Sequence, residues 1–218
     1  MSSISRHTRI SVPLLATLAA TLLIGASSAE AAQRYAAPGA GTTSCSEANP
    51  CDLQTAVELA GPSDEVIVTP GTYPQGANEL DLNASNLVVR GVPGQPKPLI
   101  TSSATNAVVT IGLNETLRDL RITQSNGAGY NALFLADGSL AERLEVASDA
   151  FSSCSVFTES LLRDSLCTNS NPAGSAVSNQ SSGSSLGYIR NVTAWPYLNT
   201  PTAWALALAP AHRRAASR

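Results

Sequence analysis

The chain has 218 residues, a formal net charge of −3 and only 13% charged residues. That balance gives no electrostatic footprint for nucleic acid or for an anionic membrane surface. What remains is a polar, weakly charged chain rich in Ser, Thr, Asn, Ala and Gly, a composition suited to hydroxyl-rich partners such as glycans.

The first residues read as a leader. Met1–Arg9 carries Arg6, His7 and Arg9, and Ile10–Gly25 is uncharged and mostly apolar. Ala29-Glu30-Ala31 then has the small-x-small form that signal peptidase reads. This layout predicts a signal peptide over residues 1–31, cleaved after Ala31, and a secreted, extracellular or cell-surface protein. The apolar run falls short of the ~20 residues that span a bilayer, and no basic stop-transfer cluster follows it. No stable membrane span is therefore expected.

Residues 32–51 form an N-terminal segment. All four cysteines, Cys45, Cys51, Cys154 and Cys167, lie after the cleavage site. In an oxidising compartment an even count predicts disulfides. Four cysteines allow three pairings, and proximity favours Cys45–Cys51 with Cys154–Cys167. A metal centre is not expected: there is no C-x-x-C pair, and His7 and His212 lie at the chain ends.

Residues 52–60 carry a helical pattern. Asp52 is placed to cap its N-terminus, and Leu53, Ala56, Val57 and Ala60 form one apolar face. Gly61-Pro62 ends it, Val66 and Val68 alternate as a strand, and Pro70-Gly71 turns the chain. From residue 87 onward one pattern recurs: apolar, two polar residues, apolar, any, apolar. It appears as LRDLRI, AERLEV, LRDSLC and IRNVTA, with VRGV as a weaker first copy. The apolar residue after the polar pair falls at Val92, Leu120, Leu144, Ser165 (a polar exception) and Val192. A second apolar run precedes each clear copy: AVVTI, ALFL, CSVF and SAVS.

A repeat of irregular length that holds short strands fits one turn of a β-solenoid, in which no coil buries its apolar side chains alone. The polar pair cannot lie in a straight strand with both side chains outward, so the chain is expected to bend there. Stacking the coils gives two columns, Arg118, Glu142, Arg163, Arg190 and Asp119, Arg143, Asp164, Asn191. Their signs alternate from coil to coil over the three middle rungs, which reads first as a charge ladder that sets coil register.

The stretch CDLQTAVELAGPSDEVIVTPGTY, residues 51–73, resembles the start of secreted right-handed parallel β-helix proteins of the pectate-lyase-like superfamily. The resemblance implies an all-β, right-handed parallel β-helix over residues 52–194, with a short N-terminal capping helix. Lyases of this kind use acidic residues to hold Ca²⁺ and an Arg or Lys as base, and β-helix hydrolases use clustered aspartates. Asp119, Arg143 and Asp164 are the candidates under that reading, and Ca²⁺ the only cofactor it would bring. No local Asp-Asp pair is present, and no acid follows Asp164. The expected role is therefore structural, cell-surface or glycan-binding without catalysis, with a polysaccharide lyase or glycoside hydrolase as the alternative. Tyr130, Phe134 and Phe151 are the mid-chain aromatics suited to a sugar platform. Residues 195–218 lack the repeat, carry both tryptophans and no acid, and read as an atypical tail, truncated or frame-shifted.

Overall fold

The computed structural model describes residues 31–126, 129–180 and 187–196. The signal-peptide reading falls on residues 1–30, and most of the tail reading on residues 197–218, outside the described residues.

The described chain is an all-β parallel β-helix of three sheets. Sheet A holds β1 (Gln33–Ala36), β2 (Glu65–Val68), β5 (Val88–Gly91), β8 (Thr116–Arg118), β11 (Leu140–Glu142), β14 (Leu161–Arg163) and β17 (Tyr188–Arg190). Sheet B holds β3 (Thr72–Pro74), β6 (Leu99–Ser102), β9 (Arg121–Gln124), β12 (Glu145–Ser148), β15 (Leu166–Asn169) and β18 (Thr193–Pro196). Sheet C holds β4 (Leu80–Asp81), β7 (Ala107–Ile111), β10 (Asn131–Leu135), β13 (Ser152–Val156) and β16 (Ser175–Asn179). From β2 onward the chain visits A, B and C in turn, then returns to A one rung on. Where the sequence showed two β signals per repeat, the structure has three strands per coil. The extra one is the strand of sheet A, which from β8 onward is only three residues long.

The pairing register explains the repeat. In sheet A, Val66, Val89, Leu117, Ala141, Leu162 and Ile189 lie in one column. In sheet B the column is Tyr73, Ile100, Ile122, Val146 and Cys167, and in sheet C it is Leu80, Val109, Leu133, Cys154 and Val177. Nearly all of these side chains are buried in one continuous cluster. Rungs in such a stack are about 4.8 Å apart, so each apolar side chain packs on its counterparts above and below. The Cys154–Cys167 disulfide crosses this interior from β13 in sheet C to β15 in sheet B, joining consecutive coils.

At the corner from B to C the inward column is polar: Ser102, Gln124, Ser148 and Asn169. These side chains satisfy the turn. Gln124 Nε2 donates to the Ala104 carbonyl at 2.8 Å, and Asn169 Nδ2 donates to the Ser175 carbonyl at 2.9 Å. Buried backbone acceptors need such partners.

The corner from A to B bends as the polar pairs require. Asp119, Arg143, Asp164 and Asn191 all adopt left-handed backbone, with φ of 60°, 54°, 50° and 47°. One residue in that conformation turns the chain so that both members of the pair face outward. The weak first copy differs. Gly91 stays in β5, and a Cβ there would come within 2.3 Å of the Asp119 carbonyl oxygen.

Sheet A begins earlier than the sequence suggested. The strand in SDEVIVT is the second, because β1 pairs with it in parallel register from Gln33↔Glu65 to Ala36↔Val68. Between them lies α1 (Leu53–Glu58), capped by Asp52, whose carboxylate accepts from the Thr55 N–H at 2.9 Å. Its buried face is Leu53, Ala56 and Val57, which joins the same cluster as Val66 and Val68. Across the outer edge of β1, Cys51 exchanges hydrogen bonds with Tyr35 and Ala37, and the Cys45–Cys51 disulfide holds that segment. An edge strand that would otherwise present free N–H and C=O groups is thereby covered.

Candidate functional site

The outer face of sheet A carries the densest chemistry. Its central outward column runs Tyr35, Ile67, Arg90, Arg118, Glu142, Arg163 and Arg190, one residue per rung. The charges in it pair along the solenoid. Arg90 Nε lies 2.5 Å from Glu65 Oε1, and Arg163 Nε donates to Glu142 Oε2 at 2.8 Å. Glu142 is only 4% exposed because arginines surround it: Arg143 at 2.7 Å, Arg163, and Arg118 at 3.9 Å. Arg118 sits between Glu142 and Glu65, 3.9 and 4.0 Å away, and its Nε is buried without a hydrogen-bond partner among the described residues.

The sequence-read candidates lie beside this column at the A–B corner. Arg143 makes a bidentate pair with Asp119, at 2.7 and 2.9 Å. Asp164 accepts instead from Asn191 Nδ2 at 2.7 Å. The structure thus joins Asp119 to Arg143 and gives Asp164 to the next coil. Hydrogen bonding from Arg143 holds the Asp119 carboxyl below the usual carboxylate range, and Arg90 does the same for Glu65. The Asp119 carboxylate in turn holds Arg143 protonated above its ordinary range. Lys97 pairs with Glu145 on the neighbouring face, 2.9 Å away.

At one end of the column the face becomes a pocket of about 390 Å³, floored by Tyr35 and Ile67 and walled by Pro50, Val92 and Pro93, with Arg90 and Glu47 at its rim. Ile67 points outward in register yet is 6% exposed, so the walls cover it well. This pocket was not visible in the sequence. It needs β1, and the four residues Gln33-Arg34-Tyr35-Ala36 carry no polar–apolar alternation that would mark a strand. The aromatics expected as sugar platforms are split. Phe134 stacks on Phe157 with ring centroids 4.5 Å apart. Tyr130 and Phe151 take equivalent positions on adjacent coils and are 69% and 57% exposed.

Among the described residues no group of three or more His, Cys, Asp or Glu side chains is placed to hold a metal ion, and no helix is long and apolar enough to cross a membrane. No known family model matches the chain, and no curated protein or solved structure shows significant similarity to it.

Proposed function

We propose that the chain is a secreted, right-handed parallel β-helix protein of the pectate-lyase-like superfamily that acts without catalysis, as a structural and glycan-binding element at the cell surface. The observation that carries this reading is the lengthwise pairing of the sheet A charges. A carboxylate that moves protons or holds Ca²⁺ must present its oxygens to substrate or metal. Asp119 gives both oxygens to Arg143, and Glu142 is gripped by Arg143 and Arg163. Both are arranged as register-setting pairs between coils.

Other features support the remaining parts. Residues 51–73 carry the superfamily resemblance, including the helix as an end cap. The leader layout and two disulfides suit an oxidising compartment. The weakly charged surface, the pocket around Tyr35 and Ile67, and the exposed Tyr130 and Phe151 suit sugar rings, whose faces pack on aromatic and aliphatic side chains.

The test is a screen on polygalacturonate and related acidic glycans, with and without Ca²⁺. Unsaturated product and reducing ends are followed while retention of the protein on the insoluble glycan is measured. Retention without product is the expected outcome. Product formation abolished by Arg143→Ala or Asp164→Ala would establish a polysaccharide lyase or glycoside hydrolase instead.

A further inference from the structure

Ala32 directly follows the small-x-small sequence Ala29-Glu30-Ala31 and directly precedes β1. Though exposed, it is held on both sides. Its backbone nitrogen donates to Asp64 Oδ1 at 2.8 Å, and its carbonyl accepts from the Glu65 N–H at 2.9 Å. Asp64 is 7% exposed and has no freedom to turn away. Its other oxygen, Oδ2, accepts from the Gly61 N–H at 2.8 Å and lies 3.2 Å from Arg34 Nε. A buried carboxylate is therefore aimed at the backbone nitrogen where the leader is expected to be cut.

We propose that Asp64 receives the charged amino terminus created by cleavage between Ala31 and Ala32, so that maturation locks the edge strand β1 onto β2. The inference rests on the secretion reading above. In the cleavage the Ala31–Ala32 peptide bond breaks, and water supplies a hydroxyl to the Ala31 carbonyl carbon and a hydrogen to the Ala32 nitrogen. At neutral pH the new acid loses its proton and the new amine gains one. The leader leaves with a carboxylate, and Ala32 keeps an ammonium. One neutral N–H donor is replaced, in place, by three donors bearing a full charge, and charge-assisted hydrogen bonds are about twice as strong as neutral ones. The carbonyl of Ala32 stays in the β1–β2 ladder, so the ammonium needs no rearrangement to reach Oδ1.

The experiment has two parts. The intact mass of protein secreted from an export-competent host gives the mature amino terminus, expected at Ala32. Unfolding in urea is then compared for chains beginning at Ala32 and at Ala31, each with and without Asp64→Asn. A chain beginning at Ala31 keeps a neutral amide at Ala32 and moves the ammonium one residue away. Asp64→Asn is expected to lower the folding equilibrium constant about tenfold more in the chain that begins at Ala32. Equal losses in the two chains overturn the proposal, as does a mature terminus elsewhere in a secreted protein; both leave the secretion reading standing. Retention of the uncleaved leader overturns the secretion reading itself, and this proposal with it.

Discussion

Two corners of the same coil treat charge in opposite ways. At the A–B corner the coils of β8, β11, β14 and β17 each send two polar side chains outward, and charges among them are paired by the next coil: Arg143 with Asp119, Arg163 with Glu142. At the C–A corner Glu115 points inward and is fully buried. Its neighbours in the stack are Leu87 and Ser139, whose rungs are tied to its own by backbone hydrogen bonds. The Gly112 N–H donates to Glu115 Oε2 at 2.8 Å, while Oε1 has no partner among the described residues. Burial pushes the Glu115 carboxyl up to about 7, with Asp81 adding to the rise. In a solenoid the coil above or below decides whether a charge survives, because that coil places a side chain at the same position one rung away. An arginine from the next coil holds the Asp119 carboxyl low, whereas Glu115, buried between a leucine and a serine, is pushed up.

The largest effect expected from this contrast is on pH dependence. A carboxyl whose pKa is higher in the folded chain than in the unfolded one leaves stability intact below the unfolded value. For Glu115 that value is 4.5, and stability should fall as pH rises from there to about 7, then level off. The full loss is at most ~3 kcal/mol. The carboxyls lowered by arginine, Asp119 and Glu65, act in the opposite sense and at lower pH, losing their contribution as the medium becomes acid. Urea midpoints from pH 4.5 to pH 8 (roughly the window the shift defines) should fall for the native chain and stay flatter for Glu115→Gln. Parallel curves would mean that the two corners do not differ as described.

The next effect tests the paired corner. Glu142→Ala removes the carboxylate shared by Arg143 and Arg163 and should cost about 2 kcal/mol. Breaking a fully buried pair costs ~3–5 kcal/mol. The lower figure follows because the two arginine side chains are 43% and 42% exposed and can rehydrate. Equilibrium unfolding measures it. A loss under ~0.5 kcal/mol, the size of an ordinary exposed pair, would reduce the ladder to surface decoration.

The two corners were not equally legible in the sequence. The A–B corner could be read because two adjacent polar residues between apolar neighbours break the period of a strand, and they do so in four successive coils: Arg118-Asp119, Glu142-Arg143, Arg163-Asp164, Arg190-Asn191. The charge ladder followed from stacking those pairs. The C–A corner could not. Its column, Asp64, Leu87, Glu115, Ser139 and Ser160, shares no residue type that would mark it as one position. Glu115 in GLNETL looks like any exposed turn acid. The pocket on sheet A stayed hidden for a related reason. Its floor residues, Tyr35 and Ile67, become neighbours only when β1 pairs with β2 across the 28 residues that separate those strands. The polar interior of the B–C corner left no mark in the sequence, because Ser102, Gln124, Ser148 and Asn169 are polar residues at strand ends, where an outward side chain is equally at home.

The smallest effect separates backbone from charge within the A–B corner itself. Asp164 and Arg143 share left-handed backbone, at φ of 50° and 54°. A left-handed residue with a Cβ is strained by roughly 1–2 kcal/mol, a cost that Asp and Asn partly offset and that glycine avoids. Arg143 also holds two carboxylates, whereas Asp164 makes an exposed hydrogen bond to Asn191. Asp164→Gly should therefore change stability by no more than ~0.5 kcal/mol, since relief of strain offsets a weak surface contact. Asp164→Ala should be about 1 kcal/mol worse than Asp164→Gly, because alanine keeps the strain and loses the contact. Arg143→Gly relieves the same backbone but breaks the pairing, and should remain clearly destabilising. Thermal unfolding of the three variants at one pH ranks them. If Arg143→Gly proved as harmless as Asp164→Gly, the bend alone would set the register of these coils, and the charges would be free for another task.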